Sequence, residues 1–174
     1  MAGHSRAPPE KSIYTCIIKT PLGEIRAAAR DKTLIGLWFL NQKYFPSGAG
    51  EWIAQPDYPV FTSLDAWLED YFSGGNPEMN IPLSPAGTGF QEAVWKLLRE
   101  IPYGKTTTYG ALAKQLAAGG RKASAQAVGG AVGHNPISIL IPCHRVLGAD
   151  GSLTGYAGGL EKKQRLLELE GRIT

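Results

Sequence analysis

The chain carries one segment whose residue types are suited to nucleophilic chemistry. In Ile141-Pro142-Cys143-His144-Arg145-Val146 a thiol is followed at once by an imidazole and a guanidinium. The thiolate is the nucleophilic form of cysteine, and it needs a nearby base or positive charge to form. His144 can accept the thiol proton, directly or through a water, and a carboxylate can orient the imidazole, as in a nucleophile–base–acid triad. Adjacency alone leaves two readings open. A lone cysteine is more commonly a buried structural residue, and neighbours on a strand face opposite ways.

The elements around this segment must position it. Ile137–Ile141 reads as a buried β-strand; Pro142 denies the ladder a donor and restricts Ile141 to extended geometry, which places Cys143 at a strand end. Beyond it, Asp150-Gly151 offers a turn between Arg145–Leu147 and Ser152–Thr154. A charged helix follows over Leu160–Glu170 and ends at Gly171. Upstream, Thr88-Gly89-Phe90-Gln91 forms a capping box for a helix whose apolar stripe is Phe90, Val94, Leu97, Leu98 and Ile101, stopped by Pro102. Thr106-Thr107-Thr108 supplies N-caps for a helix over Tyr109–Ala117, Gly119-Gly120 breaks it, and Ala123–Val132 forms a second short helix, giving a helix-turn-helix. Gly129-Gly130 in that second helix costs roughly 1 kcal/mol per residue, so a flexible loop stands as the alternative. Small side chains there would let another backbone approach closely.

The first half reads as β and then helix. Ile13–Lys19, Glu24–Arg30 and Thr33–Leu40 are separated by turn-length breaks and predict an antiparallel meander. Residues 41–59 read as loop or a short helix. Val60, Leu64, Trp67, Leu68 and Tyr71 then recur at helical spacing, with a capping box at Thr62–Asp65 and a stop at Gly74-Gly75. Residues 73–88 are rich in Gly, Pro and Ser. The fold expected is α+β: a flexible tail over 1–12, an N-terminal domain of small antiparallel β-sheet plus helix over 13–80, a linker over 81–87, and a mostly helical C-terminal domain with the helix-turn-helix and active-site cysteine over 88–171.

Composition narrows the function classes. With 43% apolar and 19% charged residues in 174, the chain is ordinary globular protein. No apolar run approaches the ~20 residues of a membrane span, and no leader-like apolar stretch follows Met1. Two cysteines, Cys16 and Cys143, build neither a disulfide framework nor a Cys-x-x-Cys zinc site, which points to a reducing compartment. The net charge of +3 divides into −2 over residues 1–88 and +5 over 89–174. A basic second half suits a polyanion partner, though an ordinary solvated surface explains it as well.

Wider context selects among these readings. Ile141-Pro-Cys-His-Arg-Val146 resembles the active-site signature of the O6-alkylguanine-DNA alkyltransferases. The similarity extends through Phe90-Gln-Glu-Ala-Val-Trp95, Ile101-Pro-Tyr-Gly104, Tyr109-Gly-Ala-Leu-Ala113, Ala127-Val-Gly-Gly130, Asn135-Pro136 and Gly155-Tyr-Ala-Gly-Gly-Leu160. Thr20–Gly23 and Leu34–Trp38 resemble the family's N-terminal domain more weakly.

The resemblance implies irreversible, stoichiometric transfer of an alkyl group from guanine O6 (or thymine O4) in DNA to Cys143, one turnover per chain, with no cofactor. By the same resemblance His144 is the general base through a water, and Glu170 orients it. Tyr109 reaches guanine N3, Asn135 holds the turn into the active site, Cys143 and Val146 carbonyls accept from the exocyclic amine, Ala157 donates its amide to O6, and Tyr156 walls the pocket. Ser124, Gln126, Ala127 and Gly130 face DNA on a helix docked in the minor groove, with the nucleotide flipped out; Ser124, Val132 and Ser138 bear on alkyl-group size. The partner implied is double-stranded DNA containing O6-alkylguanine, met by a monomer in the cytoplasm, at the nucleoid. Two positions depart from the family pattern. Gln126 stands where an arginine usually fills the hole left by the flipped nucleotide, and Ala157 where serine is frequent. Some relatives hold zinc in the N-terminal domain, whereas here only Cys16 and His4 are at hand, so no metal is expected. A lesion-binding protein that does not repair, and a Cys-His hydrolase, are the rival readings.

Overall fold

The computed structural model describes residues 12–40, 42–46 and 51–171. The expected tail and His4 lie, apart from Ser12, outside the described residues. Strands β1 (Tyr14–Thr20), β2 (Gly23–Arg30) and β3 (Thr33–Phe39) form the expected meander, joined by tight turns at Pro21-Leu22 and Asp31-Lys32. Residues 41–59 depart from expectation, since Ile53–Ala54 forms a short strand, β4, parallel to β1. The sheet order is β3-β2-β1-β4.

Helix α1 spans Pro59–Phe72, three residues earlier than the expected capping box. Pro59, with φ already fixed near the helical value, starts the helix, and Thr62–Asp65 lies inside it. Its Val60, Phe61, Leu64, Trp67, Leu68 and Tyr71 are buried.

The second half opens on α2 (Gly89–Leu98), where both hydrogen bonds of the Thr88–Gln91 capping box are made. The helix ends at Leu98, before Pro102, and buries Trp95, whose indole N–H donates to the Ala131 carbonyl at 2.8 Å. Thr107–Thr108 (β5) pairs in parallel with Val146–Leu147 (β6). Helix α3 (Tyr109–Ala118), capped by Thr108, and α4 (Ala125–Gly133), capped by Ser124, make the helix-turn-helix, so the glycine-bearing segment is helical. Helix α5 spans Leu160–Leu169, with Glu170 at its C-cap. The turn at Gly151 forms, but β6 pairs with β5 and no hairpin ladder runs to Ser152–Thr154.

The edge of β3 organises the rest. An unpaired strand edge presents free N–H and C=O groups. Here Leu34 donates to Pro82 and accepts from Ser84, pinning the Gly/Pro-rich connector. Leu37 donates to Pro136 at 2.8 Å and accepts from Ser138 at 2.9 Å, anchoring the segment that leads to Cys143. One continuous hydrophobic core runs from the sheet through α1 into the helical half.

Candidate active site

Ile137–Ile141 is not a strand. After a single bridge from Ile137 to Leu37, the chain folds back on itself, with Leu140 donating to Ser138 and Ile141 to Ile137. Asn135 holds this turn: its amide nitrogen donates to the Ile137 and Ile141 carbonyls at 3.2 and 2.8 Å, and its oxygen accepts from the Ile137 amide at 3.0 Å. Ile139 takes φ of +71°, costly for a β-branched residue. Its side chain is fully buried, so the surrounding packing imposes the strain.

Past Pro142, Cys143–Arg145 forms one turn of 3₁₀ helix instead of a strand end. The opposite-face objection to Cys143 and His144 therefore does not apply. His144 is wholly buried, and its Nε2 lies 2.6 Å from Glu170 Oε2. Around that carboxylate the donors are dense. Arg145 gives Nε to Oε1 at 2.7 Å and an Nη to Oε2 at 3.1 Å, Tyr71 gives its hydroxyl to Oε2 at 2.5 Å, and the Gly104 amide lies 3.4 Å from Oε1. The remaining Arg145 Nη donates to the Ile101 carbonyl.

These contacts set the protonation states. Burial opposes the charge on Glu170, but His144, Arg145 and Tyr71 outweigh it and hold the carboxyl at about 2. A carboxylate that acidic carries no proton to donate, so Nε2–H of His144 is the donor. Burial lowers the His144 pKa despite the Glu170 contact, and its Nδ1 is buried with no partner in the protein. The imidazole is thus neutral with a free lone pair. Burial raises the Cys143 thiol, with Asn135 and Lys163 pulling the other way.

Above Cys143 opens a cleft of about 460 Å³. Its walls include Tyr109, Asn135, Ser138, Tyr156 and Ala157, with Gly129, Gly130 and Val132 from α4. The Tyr109 hydroxyl donates to the Thr154 carbonyl at 2.8 Å, and the Tyr156 hydroxyl is buried beside Ser138 without a partner. Val146 is fully buried in β6 and contributes nothing to the wall, and Ser124 lies off it. Ser124, the N-cap of α4, and Gln126, Ala127 and Gly130 on the helix itself are exposed.

Several groups had no signal in the sequence. Lys43 and Tyr44 line the cleft from the N-terminal half, with the Lys43 amide donating to the Ala157 carbonyl and Tyr44 stacked on His134 at 3.9 Å. Lys163 is fully buried, its ammonium donating to the Thr154 and Gly155 carbonyls, and burial lowers it to about 8. Tyr71 reaches Glu170 across 99 positions, which no local pattern announces. Among the described residues no group of three metal-ligating side chains occurs.

A buried, carboxylate-oriented histidine next to a cysteine, at the base of a cleft bounded by a helix-turn-helix, defines a thiol-based enzyme that meets nucleic acid. Residues 13–85 match the ribonuclease-like domain, and residues 89–172 the DNA-binding domain, of 6-O-methylguanine DNA methyltransferase. The chain is 46% identical over 155 residues to a methylated-DNA–protein-cysteine methyltransferase of Mycolicibacterium paratuberculosis, covering 89% of this chain and 90% of that one. It is 43% identical over 160 residues to the Haemophilus influenzae protein of the same name, covering 91% and 87%. Its fold matches the crystal structure of the Mycobacterium tuberculosis O6-methylguanine methyltransferase with a TM-score of 0.82 at 43% identity, over 93% of this chain and 95% of that one. A Mycobacterium tuberculosis relative in complex with DNA matches with a TM-score of 0.80 at 42% identity, over 91% and 92%. The chain belongs to the 6-O-methylguanine DNA methyltransferase family.

Proposed function

We propose that this protein repairs DNA by moving an alkyl group from guanine O6 to Cys143, irreversibly and once per chain. The observation that carries the reading is His144, neutral and buried, with Nε2 on Glu170 and a free Nδ1, directly following a cysteine at the base of an open cleft. The thiol proton passes through a water to Nδ1; sulfur attacks the alkyl carbon in line; the carbon–O6 bond breaks and its electrons stay on guanine. The imidazolium so formed is stabilised by Glu170, which never takes the proton. Tyr109, turning its hydroxyl from Thr154 to guanine N3, offsets the charge on the leaving base. The Cys143 carbonyl and the Ala157 amide read the guanine edge, and Tyr156 walls it.

The DNA side rests on α4. Adding a Cβ at Gly130 would meet nothing within 4 Å, and at Gly129 only ordinary contact with Tyr109. Internal packing therefore does not demand these glycines, and a close-lying duplex does. Helix α4 docks in the minor groove with Ser124, Gln126, Ala127 and Gly130 toward the DNA, and the lesion is flipped into the cleft. The labour divides at the 81–87 connector, with 88–171 carrying acceptor and DNA face and 13–80 bracing them. The protein acts as a monomer on chromosomal DNA in the cytoplasm; among the described residues no helix is long and apolar enough to cross a membrane.

Titrating a duplex containing O6-methylguanine with protein tests the reading. Repair ending at one lesion per chain supports it. Lesion-dependent binding with no loss of the methyl group would replace it with a recognition protein that does not repair.

A further inference from the structure

Helix α1 belongs to the N-terminal half, yet one of its side chains ends at the catalytic carboxylate. The Tyr71 hydroxyl lies 2.5 Å from Glu170 Oε2, the same oxygen that accepts from His144 at 2.6 Å. The ring is 1% exposed and stacks on Trp67 at 5.3 Å, and the Trp67 indole N–H donates to the Glu78 carbonyl at 3.2 Å. Tyr103 packs edge-on against it at 6.3 Å. The phenol thus has little rotational freedom and a single orientation for its proton.

We infer that Tyr71 is a positioning residue for alkyl transfer: by sharing Oε2 with His144, it fixes the carboxylate and limits how strongly Glu170 raises the basicity of the imidazole. This inference rests on His144 being the proton acceptor. A carboxylate spreads its charge over its donors, so each hydrogen bond to it weakens its pull on the others. Burial and the negative Glu170 both raise the Tyr71 pKa well beyond the ordinary phenol range, so the hydroxyl keeps its proton at any working pH. The charged and titratable groups around the pair are Arg145 and Lys163, which oppose a positive imidazole, together with Cys143, Tyr103 and Tyr156. Of the three tyrosines only Tyr71 donates to Glu170; the Tyr103 hydroxyl goes to the Leu169 carbonyl at 3.3 Å.

The test compares Tyr71→Phe with Tyr103→Phe, each of which removes one phenol from the same cluster and keeps its ring. Single-turnover methyl transfer to the full-length chain is followed against pH, with the His144 imidazole titrated by NMR. For Tyr71→Phe the midpoint of both curves rises by about half a unit to one unit. For Tyr103→Phe both stay within about 0.2 unit of wild type. Equal loss of thermal stability in both variants with no shift in either midpoint would overturn the inference, leaving Tyr71 a packing residue. A wild-type chain that transfers no methyl, or whose rate ignores the His144 titration, would instead overturn the reading beneath it.

Discussion

The floor and the rim of the cleft are built on opposite terms. Beneath Cys143, Glu170 accepts from His144, Arg145 and Tyr71, and Arg145 spends its third donor on Ile101. Above it, α4 presents exposed Ser124, Gln126 and Ala127 and a Gly129-Gly130 pair that no internal contact requires. Under the proposed mechanism the floor is preorganised so that a proton can move there without rearrangement of its surroundings, and the rim is thin so that DNA can complete it. Stability should then concentrate in the floor, and affinity in the rim.

Breaking the floor has the largest effect. Glu170→Ala leaves a buried guanidinium and imidazole without their acceptor, and losing one partner of a buried pair costs about 3–5 kcal/mol. At about 2–4 °C per kcal/mol, calorimetry should show a melting point roughly 10 °C lower. A change of a degree or two would mean that the cluster is loosely coupled.

Acid probes the same cluster. Glu170, held at about 2 against an ordinary 4.5, is depressed in the folded state. Its contribution of about 3 kcal/mol is present above the unfolded value and lost as pH falls from about 4.5 to about 2. His144, also depressed, loses its share earlier, below its ordinary 6.5. Denaturant melts across pH 7 to 2 should show a two-stage decline, and Glu170→Gln should remove the lower stage.

At the rim the signs reverse. Gly130→Ala adds a methyl into open space inside a helix and should stabilise the free protein by about 0.5–1 kcal/mol. The same methyl should weaken duplex binding by about tenfold at fixed salt, roughly the 1.4 kcal/mol of one misplaced group. Unchanged affinity by fluorescence anisotropy would free α4 from the groove. Smaller still, Gln126→Arg should speed repair of duplex substrate about three- to tenfold while leaving a single-stranded oligonucleotide unaffected, because the larger charged side chain fills the vacated stack. Equal rates on duplex would show that Gln126 already suffices.

The same contrast explains what was legible in the sequence. The meander, the Thr88 capping box and the glycine-broken helix pair were visible because each rests on local rules: turn residues, N-caps and apolar periodicity. Ile137–Ile141 misled, because β-branched composition reports burial as readily as strand, and here Asn135 and the β3 edge bend the segment into a turn. Thr62–Asp65 misled too, since Pro59 starts the helix first. At the site, resemblance marked Glu170 as the partner of His144, and the two are in contact. Nothing local marked Tyr71, Lys43 or Tyr44, which come from the N-terminal half and reach the site only when the β3 edge and α1 dock on the helical half. No pattern announced that Lys163 on α5 would be buried against the Thr154 and Gly155 carbonyls.

Intact-mass spectrometry after mixing the protein with duplex DNA bearing one O6-methylguanine, beside a Cys143→Ser control, tests the central claim most directly. The account predicts a gain of about 14 Da on the wild-type chain alone, the mass of one methyl replacing a thiol proton, located on Cys143 by peptide mapping. A wild-type chain that binds the lesion yet keeps its mass, or a methyl found on any residue other than Cys143, would contradict it.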